Sequence, residues 1–229
     1  MKGKLRLIQR IDFIFTTRTT TMVESGRVVM NKFMKSLMVV LILGCSFSAS
    51  AYQSLMTSGD LLQPETFQVL PYLESIFDDP IDGLNLNARL TYGLNDELQT
   101  DFEIGTGEMD VMLGAFLKWV PIPDYEKQPA IGVRGGISYI DTDAYSQTSI
   151  TAMPFISKGI ETKYGRIVPY LGLPIAMNSN KDDTFFSSRL AFGTEWTHPD
   201  HKVCHAVAEL GLELSKSFSS LSIGAAYDF

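Results

Sequence analysis

Cysteine is nearly absent from this chain: two in 229 residues, Cys45 and Cys204. Histidine numbers three and tryptophan two. So few thiols exclude a disulfide framework, and so few imidazoles leave little for a metal centre. Positive charge is also short. The 19 Lys and Arg stand against 26 Asp and Glu, for a net charge of -7. That balance lacks the basic footprint of a nucleic-acid binder, so no nucleic-acid partner is expected. There is no Gly-rich phosphate loop, no Cys-x-x-Cys pair and no His-Glu-x-x-His. No cofactor and no metal are expected. Long apolar runs are missing as well, with one exception near the start.

The exception is MNKFMKSLMVVLILGCSFSASAY, residues 30–52. Lys32 and Lys35 supply a positive flank, and Leu37 to Leu43 a short apolar stretch. Ala49 and Ala51 supply small residues for cleavage. This is the three-part pattern of an export signal, and the run is too short to span a bilayer as a helix. We read 30–51 as a signal peptide cut after Ala51, and 1–29 as an upstream extension of the reading frame before a true start at Met30. A signal with a long leader is the alternative. Ile42-Leu43-Gly44-Cys45 also resembles a lipoprotein box, which would lipidate Cys45. Leu43 is bulky for that motif, so the Ala-Ser-Ala site is preferred. Either cut leaves no internal disulfide, and Cys204 reads as a small hydrophobe.

No helix-period segment stands out after Ala51. Residues 52–65 read as a short periplasmic N-terminal segment. Over 66–229, alternation of period two recurs between turn signals. We read ten strands: 66–76, 84–94, 97–106, 109–120, 129–140, 148–162, 165–177, 184–197, 202–215 and 219–229. In LNLNARLTYGL, Leu84, Leu86, Ala88, Leu90, Tyr92 and Leu94 share a face. Asn85, Asn87, Arg89, Thr91 and Gly93 share the other. A soluble sandwich also alternates. Here no helix is available to cover the apolar faces, and aromatics sit at strand ends on those faces. Both features suit a membrane barrel with interfacial girdles. The expected fold is all-β: a closed antiparallel transmembrane β-barrel of about ten strands, with eight or twelve as alternatives. The expected interface aromatics are Phe67, Tyr92, Trp119, Tyr139, Trp196, Tyr227 and Phe229.

The chain ends SLSIGAAYDF. Leu221, Ile223, Ala225, Tyr227 and Phe229 alternate up to a terminal aromatic. This ending resembles the last strand of bacterial outer-membrane β-barrel proteins. The resemblance implies residence in the outer membrane of a Gram-negative cell envelope, among its lipids and lipopolysaccharide. It also implies that the barrel assembly machinery reads the last strand, which closes against the first. It gives no oligomeric state and no function.

Four prolines disturb the pattern: Pro71, Pro154, Pro169 and Pro174. Proline cannot donate to a ladder, so β-bulges are expected around strands six and seven. Lys158 falls on the lipid face by parity and is expected to turn inward or to reach the rim.

The inward face carries Glu74, Arg89, Asp101, Glu103, Lys118, Arg134, Glu161, Arg189, Glu195, Glu209 and Glu213. Charges in a narrow barrel pair or stay wet. They predict a salt-bridged plug or a narrow, porin-like, cation-preferring pore. The expected role is structural or pore-forming, without catalysis. A barrel enzyme acting on lipid A or peptides is one alternative. A soluble periplasmic ligand-binding β-barrel is another. His198, His201, Cys204 and His205 in HPDHKVCH invite a metal reading, but their spacing fits a polar turn better. Asp78–Asp79 and Asp182–Asp183 read as solvated loop tips that could meet divalent cations.

Overall fold

The structure, a computed structural model, describes residues 54–77, 82–142, 145–181 and 183–229. The proposed start, signal peptide and cleavage residues Ala49 and Ala51 lie outside the described residues, as do Asp78, Asp79 and Asp182.

The strands are β1 (Phe67–Ile76), β2 (Gly83–Gly93), β3 (Leu98–Gly107), β4 (Val111–Ile122), β5 (Ala130–Asp141) and β6 (Ser146–Ser157). They continue as β7 (Ile160–Thr162), β8 (Gly165–Gly172), β9 (Ile175–Ser179), β10 (Thr184–Thr197), β11 (Cys204–Ser215) and β12 (Ser220–Asp228). Each pairs antiparallel with its neighbours, and β12 pairs with both β11 and β1. The sheet is therefore closed. β6 and β7 form one wall strand broken at Lys158–Gly159. β8 and β9 form another, broken at Leu173–Pro174, and both halves pair with β6 on one side and β10 on the other. Twelve segments thus build a ten-stranded barrel.

Closure leaves no edge, so strand backbone groups pair within the wall. The seam runs to the last residue. The N–H of Phe67 donates to the carbonyl of Phe229 at 3.0 Å, and the N–H of Phe229 donates back at 2.9 Å.

The barrel is apolar outside and polar inside. Leu86, Ile104, Leu113, Ile137 and Ile223 all point out and are about half exposed. Water would not tolerate an apolar belt of that extent, whereas a bilayer core requires one. Among the described residues no helix is long and apolar enough to cross a membrane. Strands of this length, tilted, match the hydrocarbon thickness. Phe67, Tyr92, Trp119, Trp196, Tyr227 and Phe229 lie at one rim, and Tyr139 lies towards the other. The Phe67 ring stands 4.7 Å from Tyr92 and 5.8 Å from Phe229, centroid to centroid.

Pro71, Pro154, Pro169 and Pro174 do not introduce bulges, contrary to the sequence expectation. Ala152 opposes Ile175 and Ser157 opposes Tyr170, so the register is the same on both sides of the Leu173–Pro174 break. The ladder loses contacts without gaining a residue. Three of the prolines still accept: Pro154 from Leu173 N–H at 2.9 Å, Pro169 from Lys158 N–H and Pro174 from Arg189 N–H, both at 3.1 Å. The register shifts lie at other positions, between Trp119 and Ile122 on β4, a stretch that holds Pro121, and between Ser188 and Arg189 on β10. Lys158 sits at the rim, where its ammonium bonds Asp124 and the carbonyls of Glu126 and Gln128.

The segment before β1 adds to the lumen. Residues 54–62 turn back into the lumen, with Ser54, Leu55, Met56 and Ser58 buried. Leu55 packs with Phe116, Met153, Phe155 and Tyr170, and Met56 with Leu70, Tyr72 and Val207. Period-two patterning could not reveal this strap, because a segment that follows neither sheet face carries no alternation.

Candidate functional site in the lumen

Eight of the eleven charges read from the inward face are buried: Glu74, Arg89, Asp101, Glu103, Lys118, Arg134, Arg189 and Glu209. They reach the lumen because alternate residues of a strand face one side. At mid-height four of them form a layer. Arg134 donates to Asp101 at 2.7 Å and to Glu103 at 2.9 Å. Arg89 pairs with the same Glu103 oxygen. Thr91 donates a further hydrogen bond to Asp101 at 2.9 Å, and the Phe116 ring lies 3.8 Å under the Arg134 guanidinium. Across the lumen Arg189 pairs with Glu209 at 3.0 Å. These arginines and carboxylates sit on β2, β3, β5, β10 and β11.

The strap is fastened to this layer through its backbone. Arg89 donates to the carbonyls of Met56 (2.8 Å) and Leu55 (3.0 Å), and Arg134 to that of Ser54 (3.3 Å). Glu209 accepts from the backbone N–H groups of Leu55 and Met56, from the Ser54 hydroxyl and from Tyr170. Lower down, Lys118 donates to Thr57 Oγ1 and to the carbonyls of Ser58 and Asp60. Buried charges need several partners each, and the strap provides them. Met56 has a φ of 40°, a left-handed conformation held where both its N–H and its carbonyl are bonded by wall residues.

Above the layer the lumen changes character. Gln147, Ser149, Asn178 and Ser187 form a hydrogen-bonded string. Near the β3–β4 and β11–β12 turns, Met109 and Phe218 fold in against Ile76, Met112 and Ile140 as an apolar cap. Asn85 draws the first turn inward by accepting from Met109 N–H at 2.9 Å. Glu213 is exposed at this rim, bonded to Ser217 N–H.

Below the layer the lumen opens into a vestibule of about 850 Å³. Six carboxylates, Asp60, Asp96, Asp124, Glu161, Glu195 and Asp228, line it against three bases, Lys118, Arg166 and Lys202. Glu161 is exposed at the lip, 3.7 Å from Arg166. Glu195 accepts from Ser58 Oγ at 2.9 Å. At the lip Asp124 holds the β6–β7 corner. Partial burial works against its ionisation, but the Lys158 hydrogen bond, the Gly159 N–H and the Lys158 charge outweigh it. Its carboxyl is held below the usual range.

The HPDHKVCH turn does not gather a metal set. Cys204 is exposed, while the neighbouring His205 lines the vestibule. His198 and His201 stack with ring centroids 5.5 Å apart. No cluster of three metal-ligating side chains exists among the described residues. Sequence reasoning placed Thr91 on the inward face but missed the strap and the roles of Tyr170, Thr197 and Asp228. The neutral polar residues on inward positions were the available signal.

No family model and no curated protein matches this chain. Solved structures similar in fold include a designed transmembrane β-barrel, at 13% identity and a TM-score of 0.38, covering 74% of this chain and 100% of that one. The N-terminal β-barrel domain of OprF from Pseudomonas aeruginosa is similar at 14% identity and a TM-score of 0.32, covering 73% and 100%. Ail, the attachment invasion locus protein of Yersinia pestis, is similar at 14% identity and a TM-score of 0.30, with the same coverage.

Proposed function

We propose that this chain is an integral outer-membrane β-barrel whose lumen is sealed, acting as a structural wall element and not as an open pore. One observation carries the reading. The Arg89–Glu103–Arg134–Asp101 layer and the strap from Ser54 fill the lumen at mid-height, and each holds the other in place. A barrel of this size is filled by its own side chains. The apolar belt and the closed sheet support the outer-membrane assignment.

A second reading rests on the vestibule. Its excess of carboxylates would favour cations if the strap withdrew. Planar-bilayer conductance in a salt gradient tests both. The intact barrel is expected to be silent. Deletion of 54–62 is expected to give cation-selective steps. Steady conductance of the intact barrel would overturn the sealed reading.

A further inference from the structure

The vestibule carries a row of polar side chains that neither the seal nor the lipid-facing wall uses. Thr197 ends β10, His205 is the second residue of β11 and Asp228 ends β12, so three adjacent strands bring them together. His205 Nδ1 lies 2.7 Å from Thr197 Oγ1, and His205 Nε2 lies 2.8 Å from Asp228 Oδ2. Gln68 donates to the other Asp228 oxygen at 2.7 Å. An ionised carboxylate only accepts, so Nε2 carries the ring proton. In the neutral ring Nδ1 then accepts from the Thr197 hydroxyl. A hydroxyl bonded to a base, with the base oriented by a third group, is the arrangement of an activated nucleophile.

Arg166 flanks the other side of Thr197 as its register partner on β8. One guanidinium nitrogen bonds Asp60 at 2.9 Å, while Nε makes no hydrogen bond among the described residues and lies 3.7 Å from Glu161 Oε1. A cation at the register position beside the nucleophile would offset negative charge developing on an attacked carbonyl. All four residues line the same cavity, whose volume suits a small molecule.

We propose that the vestibule is a hydrolytic site for small, water-soluble esters. Thr197 Oγ1 attacks the ester carbonyl and its proton passes to His205 Nδ1. The oxyanion faces Arg166. Collapse breaks the bond to the alcohol, which leaves with the proton from Nδ1, and the acyl group stays on Thr197. Water then attacks the acyl-threonine and gives a proton to Nδ1. The carboxylic acid leaves, and the proton returns to Thr197. The sum is ester plus water to acid plus alcohol. Asp228 positions His205 and fixes its tautomer. The acidic lining favours esters bearing a cationic or neutral polar group over long-chain lipids.

A competing arrangement uses the same atoms. Glu195 Oε1 lies 3.6 Å from His205 Nδ1, so a doubly protonated ring would clamp Asp228 to Glu195 and activate nothing. The test uses the protein purified in detergent, with p-nitrophenyl acetate and acetylcholine as probes. The expected result is an initial burst of p-nitrophenolate, an acetyl group on the Thr197 peptide by mass spectrometry, and steady turnover of both esters. Thr197→Val and His205→Gln are expected to fall to the detergent blank. Thr197→Ser should keep the burst. Each variant is checked for the compact, heat-modifiable gel band of a closed barrel. A folded wild-type barrel with no burst and no acetyl-Thr197 overturns the proposal. So does a rate unchanged in folded Thr197→Val. Neither result bears on conductance, so the sealed-barrel reading stands or falls separately.

Discussion

At the residue scale, the ionisable groups divide by depth. Those of the central layer are buried and multiply bonded, whereas Asp124 and Lys158 work at the water's edge. Their pair pins the β6–β7 corner, aided by the Gly159 N–H on the second Asp124 oxygen at 2.6 Å. The folded carboxyl titrates below its ordinary value. Its contribution is therefore complete above the ordinary value and is lost as pH falls through the folded one. An ion pair this open to water contributes about 1 kcal/mol or less. Hydrogen exchange at Gly159 is expected to lose protection on acidification over that acid window. In Asp124→Asn the protection at neutral pH should already be low, with little further change on acidification. Parity alone left Lys158 facing lipid. The length of its stem and the carbonyls of the neighbouring turn decide otherwise, and periodicity encodes neither.

At the element scale, the ten strands were legible within a few residues because each keeps one mainly apolar face. The hairpin with Pro154, Pro169 and Pro174 was misread. A bulge was expected where the register in fact continues across a gap. Pairing on both sides holds the interrupted strand in place, so a missing donor is tolerated without an inserted residue. Partners across the lumen were not legible either. Glu209 bonds Leu55 across 154 positions, and alternation reports a face and not a partner. Inward glycines were part of that hidden layout. A Cβ on Gly211 would come within 2.3 Å of the Arg189 guanidinium carbon, and one on Gly193 within 2.0 Å of the Tyr170 ring. These glycines leave flat ground on which long side chains lie. Gly211→Val is expected to displace Arg189 from Glu209 and to destabilise the barrel by about 1–3 kcal/mol, the usual range for overpacking. A fall in the urea midpoint of the heat-modifiable band measures it.

At the scale of the whole molecule, the closing seam is what makes a sheet into a barrel. It ends on the paired Phe67 and Phe229, joined by two backbone hydrogen bonds and by their rings. The sequence announced this seam through its alternating, aromatic end. Phe229→Asp is expected to keep the backbone pairing but to place charge in the aromatic girdle. The yield of closed barrel in membranes should drop several-fold, read as the heat-modifiable fraction. An unchanged yield would mean that the ring is dispensable for closure.

The strap has a bearing on the order of events. It touches Arg89 on β2 and Glu209 on β11, which become neighbours across the lumen only when the sheet has come round. Its last contacts therefore have to wait for the seam. An inserted but unsealed barrel would still offer Ser54–Leu62 to a protease, and a sealed one would not. The strap thus records the moment of completion.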